Sequence, residues 1–161
     1  MKRRMSSIDA LHAALAPVLE VVASIDPSSP DAAATLEARL PLDGGALRAL
    51  GAALRAAVAE GVVADREAGG VRFSRLKKAA SERELSVDVV HMSTPGPGHT
   101  HPNGEVDLCF AASGEPRFDG RAPGWTVYPP GSWHVPTVEG GSMDILYFLP
   151  GGAIRFEAKP S

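Results

Sequence analysis

A lone cysteine, Cys109, is the whole thiol content of the 161-residue chain. No internal disulfide is available, and nothing here calls for an oxidising compartment. Aromatic residues are scarce, at 6%, and none precedes Phe73. No charge sign dominates either, since 16 Lys and Arg oppose 19 Asp and Glu for a formal net charge of −3. That balance argues against a strongly basic nucleic-acid binder, and an apolar content of 44% argues against a disordered chain. Long apolar runs are also missing. Asp9, His12, Glu20 and Asp26 interrupt the apolar N-terminal stretch, so no segment reaches the ~18 residues that a membrane span requires. Met1-Lys2-Arg3-Arg4 imitates the basic start of a signal peptide, but Ser6, Asp9 and His12 stand where its apolar stretch should begin. A cytoplasmic protein with no membrane partner is the expectation, and the length fits one compact unit with a modest accessory segment.

What is present divides the chain in two. Residues 1–65 hold 17 alanines and the remaining 96 residues hold 8, whereas all nine aromatic side chains lie in the later part. In 1–65, Ile8, Leu11, Leu15, Val18, Leu19 and Val22 recur at three- and four-residue steps, and Ser6 with Asp9 has the spacing of a capping box. Ser29-Pro30-Asp31 reads as an N-cap followed by proline at the first helical position, opening a short helix that carries Leu36 and Leu40. Asp43 is placed to cap a third helix with an apolar stripe of Leu47, Leu50, Leu54 and Val58, ended by Gly61. This helical segment is expected to serve as a lid, a packing layer or a dimer contact.

Residues 66–161 read as strands. Apolar or β-branched runs at Val71–Arg75, Leu85–Met92, Glu105–Ala111, Trp125–Tyr128 and Met143–Leu149 are separated by Gly69-Gly70, Pro95-Gly96-Pro97-Gly98, Pro129-Pro130-Gly131 and Gly140-Gly141. So many short strands are best packaged as an antiparallel barrel or double sheet, which removes exposed edges. The fold class expected is α+β.

One stretch carries chemistry. In His99-Thr100-His101-Pro102-Asn103-Gly104-Glu105 the two imidazoles and the carboxylate share strand parity, so an extended backbone aims them to one side. A further histidine, His134, follows the turn Pro129-Pro130-Gly131. Neutral imidazoles plus one carboxylate suit a divalent Zn, Fe, Mn, Ni or Co ion with positions left for water or substrate. The competing reading has the same histidines hydrogen-bonded in a core or lying on a loop. His12 and His91 have no such company and read as structural or surface residues.

The pattern His-x-His-x-x-x-Glu, followed by Pro-x-Gly-x-x-His, resembles the two metal motifs of the cupin superfamily. That resemblance implies a C-terminal jelly-roll barrel, a double-stranded β-helix, with His99, His101, Glu105 and His134 as metal ligands. The glycine expected soon after the glutamate arrives late, at Gly114; Gly124 is displaced, and Val138 stands where asparagine is usual. A narrower resemblance, over Val87–Val90, Gly98–Cys109, Gly124–Val138 and Leu146–Ile154, is to the bacterial 4-hydroxylaminobenzoate lyase family. It implies conversion of 4-hydroxylaminobenzoate to 3,4-dihydroxybenzoate with release of ammonia, a role in nitrobenzoate degradation, and a small aromatic carboxylate as partner. Cupins often pair through sheet edges, which implies a homodimer.

Such chemistry moves protons. Asp107 shares the parity of Glu105 and is the candidate for proton transfer beside it, with orienting a ligand histidine or pairing with an arginine as the competing roles. Cys109 shares that parity too and reads as a buried thiol rather than a nucleophile. An aromatic carboxylate needs an apolar slot and a cation. Trp125, Tyr128, Trp133 and Tyr147 are the candidate ring contacts, and Arg75 is the candidate clamp among Arg72, Arg75, Lys77 and Lys78, although aromatics in strands are more often core and such cations more often solvated. Three rival classes remain: an Fe(II) cupin dioxygenase, a noncatalytic ligand-sensing cupin, and a helix-turn-helix regulator. The last is disfavoured because residues 1–65 carry six basic and eight acidic side chains.

Overall fold

The computed structural model describes residues 5–161; Met1-Lys2-Arg3-Arg4 lies outside them. Three helices come first, α1 (Ser7–Ala23), α2 (Ala32–Arg39) and α3 (Gly45–Glu60). Nine strands follow: β1 (Arg66–Ala68), β2 (Val71–Lys77), β3 (Leu85–Met92), β4 (His99–His101), β5 (Glu105–Phe118), β6 (Gly124–Tyr128), β7 (Ser132–His134), β8 (Val138–Pro150) and β9 (Arg155–Phe156). They form a six-stranded sheet of order β1-β2-β3-β8-β5-β6 and a three-stranded sheet of order β7-β4-β9, antiparallel throughout. This is the expected α+β architecture, with a double-stranded β-helix behind a helical segment. Among the described residues no helix is long and apolar enough to cross a membrane.

Local chemistry explains most element ends. Ser6 caps α1, its hydroxyl accepting from the Asp9 amide at 3.2 Å as the capping-box spacing predicts. Gly61 ends α3 in the left-handed region at φ 72°, where its N–H reaches the Ala57 and Val58 carbonyls. Two expected caps are displaced. Helix α2 begins at Ala32 rather than at Pro30, because Ser29-Pro30 closes a turn in which the Ser29 hydroxyl accepts from the Asp31 amide. Gly44, not Asp43, occupies the N-cap of α3, with no side-chain hydrogen bond there. Gly140-Gly141 does not break the sheet but lies inside β8, facing a bulged stretch of β5. A Cβ on Gly141 would stand 2.0 Å from the Ser113 carbonyl oxygen, so this approach requires glycine.

The large sheet is apolar on both faces. Its outer face, with Val87, Val89, Val106, Leu108, Leu146 and Phe148, shares one core with Leu11, Leu15, Leu36, Leu47, Leu50 and Leu54 of the helices. The helices therefore form a packing layer on the barrel wall. Truncating any of these leucines to alanine would cost about 2–5 kcal/mol by loss of transfer energy and the cavity left behind. An ion pair joins the layers, with the half-exposed Arg55 of α3 standing 3.3 Å from the buried Asp144 of β8, which also accepts from His91 at 2.8 Å. The inner face carries a second core, including Val90, Met92, Cys109, Phe118, Ile145 and Leu149. Between this face and the small sheet lies the site.

Candidate metal centre

Register brings the two histidine segments together. Strands β4 and β7 pair with His99 directly opposite His134, and β4 then turns through Gly104 (φ 87°) into β5, whose first residue is Glu105. The side chains of His99, His101 and Glu105 are buried, and that of His134 is 11% exposed. One donor atom from each of the four lies within 4.8 Å of all the others. Glu105 Oε2 stands 2.7 Å from His101 Nε2, 3.6 Å from His99 Nε2 and 3.5 Å from His134 Nε2.

The opposite edge of each ring fixes its tautomer. His99 Nδ1 donates to the Pro97 carbonyl at 3.2 Å, and His134 Nδ1 donates to the Asp119 carboxylate at 2.7 Å. His101 Nδ1 lies 2.9 Å from the Ser132 hydroxyl, which gives its own proton to the Pro129 carbonyl and so accepts from the ring. With every Nδ1 engaged as donor, each ring presents its Nε2 to one point, as a lone pair wherever the ring is neutral. His99 Nε2 and His134 Nε2 are 3.1 Å apart, and His101 Nε2 with both Glu105 oxygens is buried without a hydrogen bond. Facing lone pairs at that separation repel unless a proton or a cation lies between them. The donor set fits a divalent ion of the borderline class, and the hydrogen bonds behind the rings are those that orient metal ligands.

The charges are mutually dependent. Burial opposes ionisation of Glu105, but the imidazoles of His101, His134 and His99 outweigh it and hold the carboxyl below its usual range. Burial likewise opposes a charge on His134, yet Asp119 and Glu105 raise it to about 8. Asp107 points inward as its parity predicts, with both oxygens buried and unpartnered; burial first, then the charge of Glu105, pushes its carboxyl well up. It pairs with no arginine and orients no histidine among the described residues. Cys109 is a buried thiol held protonated by the same burial, as expected of a structural cysteine.

Asp119 takes the orienting role considered for Asp107. At φ 50° it sits in the left-handed region just before Gly120, a position whose sequence reads only as a turn. Its Oδ2 accepts from His134 and from the Tyr128 hydroxyl, and its Oδ1 accepts from the Thr137 amide at 2.9 Å. Local sequence gives no signal for this, because the chain is drawn there by the β5–β8 pairing that ends at Phe118↔Val138.

A cavity of about 470 Å³ opens beside His99, within the ~300–1,000 Å³ typical of small-ligand sites. Its walls include Val71, Phe73, Val90, Tyr147, Ile154 and Phe156. The expected substrate residues fare unevenly against it. Trp125 lies on the other face of the sheet, buried against Phe148, with its indole N–H donated to the Leu40 carbonyl at 2.9 Å, outside the cavity. Trp133 directs its N–H to the Glu157 carbonyl at 3.0 Å and packs on Gly98 rather than lining the cavity. Tyr128 stacks on His101, with ring centroids 5.3 Å apart, and its hydroxyl is held by Asp119, so it supports the ligands rather than lining the cavity. Arg75 does line the cavity, but locked on Asp88 through Nε at 2.8 Å and a second nitrogen at 3.2 Å. Arg66, which no sequence pattern singled out, lines it as well.

Known proteins share the fold and the family pattern of this chain. A solved structure, the DMSP lyase DddQ from Ruegeria pomeroyi DSS-3, superposes over 93% of this chain and 98% of its own with a TM-score of 0.54 at 20% identity, a likeness of fold. A 4-hydroxylaminobenzoate lyase of Nocardioides sp. (strain LMS-CY) is 32% identical over 114 residues, covering 64% of this chain and 68% of the relative. One of Pseudomonas putida with the same name is 30% identical over 119 residues, covering 62% and 68%. The family model described as PnbB: 4-hydroxylaminobenzoate lyase matches residues 16–156, a span that holds the four clustered ligands, the cavity and most of the helical layer. This chain therefore belongs to the 4-hydroxylaminobenzoate lyase family.

Proposed function

We propose that the protein is a metal-dependent lyase that converts 4-hydroxylaminobenzoate to 3,4-dihydroxybenzoate and ammonia. The observation that carries this reading is the convergence of three imidazoles and one carboxylate beside a largely apolar cavity that His99 lines, in a chain of this family. The balance is closed: hydroxylaminobenzoate plus water has the atoms of dihydroxybenzoate plus ammonia. The ring is oxidised at the expense of its own N–O bond, so no external oxidant or nicotinamide is required. A divalent ion held by His99, His101, Glu105 and His134 supplies Lewis acidity toward an oxygen of substrate or water.

The remaining work falls to the chain. His99 and Tyr147 bound the cavity where the reacting end of the substrate would lie. Asp107, buried and without a hydrogen bond beside Glu105, would hold or pass a proton as nitrogen leaves. Glu105 serves both as a ligand and as the negative charge that balances a proton on His134 or part of the charge of the ion. Asp119 fixes the His134 ring.

The test is anaerobic incubation of metal-reconstituted protein with 4-hydroxylaminobenzoate, assaying both products with and without chelator. Equal amounts of ammonia and dihydroxybenzoate without oxygen, abolished by chelator, are expected. Oxygen uptake coupled to turnover would replace the lyase reading with the Fe(II) dioxygenase, and absence of product after reconstitution would refute it.

A further inference from the structure

An aromatic acid entering this cavity must place its carboxylate against a cation, because an ionised carboxylate buried among apolar walls costs several kcal/mol unless it is paired. Two arginines line the cavity, and they are not equivalent. Arg75 is joined side-on to Asp88, which itself lines the cavity, so the pair offers no net charge and two of the Arg75 nitrogens are taken. Arg66 makes no ion pair or side-chain hydrogen bond among the described residues and is exposed at the edge strand β1. Its cross-strand partner is Phe73, whose own partner is Val90. The row Arg66, Phe73, Val90 thus runs along one face from a free guanidinium into the apolar wall, and the same cavity reaches His99.

We infer that Arg66 binds the substrate carboxylate and selects for aromatic acids over their neutral counterparts. The inference deepens the lyase reading and rests on it for the identity of the substrate. The ring would lie along Phe73 and Val90, with its nitrogen-bearing end toward His99. A fork of guanidinium donors matches a carboxylate, whereas a lysine offers a point charge at similar reach.

The experiment uses the metal-loaded protein and two stable probes, 4-hydroxybenzoate and the uncharged 4-hydroxybenzamide, with binding measured by calorimetry for wild type, Arg66→Met and Arg66→Lys. A charge-assisted bond of ordinary strength predicts binding of 4-hydroxybenzoate weakened about tenfold or more in Arg66→Met and less in Arg66→Lys. Binding of 4-hydroxybenzamide stays within about twofold in all three proteins. In turnover, KM for 4-hydroxylaminobenzoate rises in parallel while kcat stays within about threefold, since the contact is equal in ground and transition states. Unchanged 4-hydroxybenzoate binding in Arg66→Met, equal losses for both probes, or a wild type that binds no aromatic carboxylate would each overturn the inference. A wild type that binds 4-hydroxybenzoate through Arg66 yet forms no ammonia would leave this clamp standing and remove the lyase reading instead.

Discussion

Replacing Asp119 with asparagine isolates the hydrogen bond behind His134 with almost no change of volume. The carboxylate has a donor on each side: the Thr137 amide at Oδ1, and the His134 ring with the Tyr128 hydroxyl at Oδ2. An amide has only one oxygen. If that oxygen keeps the Thr137 amide, the NH₂ faces His134, whose Nδ1 must then accept, moving the ring proton to Nε2 and into the metal position. If the amide turns round, NH₂ meets the Thr137 N–H and the loop shifts. Either outcome weakens the ion's hold, by about 10–100-fold as for other groups that orient metal ligands. The pH dependence separates this from a general loosening. In the metal-free wild type burial lowers the basicity of His134, but Asp119 and Glu105 together raise it to about 8, so an incoming ion displaces a proton below that pH. Apparent affinity should therefore rise by up to about tenfold per pH unit until pH ~8 and then level. Removing the Asp119 charge lowers the levelling point, so the deficit of Asp119→Asn is largest above pH 8 and shrinks toward pH 6.5. Chelator-competition titrations across pH 6–9 measure this. Equal affinity in the two proteins, or a deficit independent of pH, would refute the assigned role.

Other consequences are open to single measurements. His101→Ala removes a buried ligand whose Nε2 has no other partner, and metal analysis should find the bound ion lost while far-ultraviolet circular dichroism is retained. Trp125→Phe deletes the indole N–H donated to Leu40 and should lower stability by about 1 kcal/mol with KM unchanged; a shifted KM would return Trp125 to the ligand site. Gly141→Ala drives a Cβ to 2.0 Å from the Ser113 carbonyl and should destabilise by about 3 kcal/mol or more, read as a fall in the denaturation midpoint. Metal-stripped protein should gain stability from protonated His134 in full below pH ~6.5 and lose it as pH rises through about 8, so its denaturant midpoint should fall across that window.

The ligand set was legible because its geometry is local twice over. His99 and His101 are two residues apart on an extended strand, and Glu105 follows after one tight turn. Their meeting with His134 depends on the β4–β7 register, which spacing alone does not specify and the family motif supplied. The fate of the aromatics was partly readable. Trp125 and Tyr128 lie three apart on one strand, so a flat β6 aims them to opposite faces, and the period of two lets only one of these two candidates face the barrel interior. The fixed pairing Leu108↔Trp125 then sends Trp125 outward with Leu108, away from the parity of Glu105 and Asp107. By contrast, the Arg75–Asp88 pair exists only through the β2–β3 register, and the approach of Asp119 to His134 only through the β5–β8 pairing that sets Asp119 beside Thr137.

The helical segment illustrates how one strand's composition constrains another element. Ile145 to Leu149 in β8 are all buried, although alternate residues face opposite sides of the sheet. A strand apolar on both faces needs cover on both. The barrel interior covers Ile145, Tyr147 and Leu149, which leaves Leu146 and Phe148 to be covered from outside, and the apolar stripes of α1 and α3 meet that requirement within the chain. A lid would have to leave this core each time it opened, exposing Leu146 and Phe148 to water at about 1.5–3 kcal/mol for each side chain. The placement of the helices as a fixed layer thus follows from the unbroken apolar run in β8, and movement that admits substrate is better sought at the cavity edge, where Phe156 of the two-residue β9 is 63% exposed.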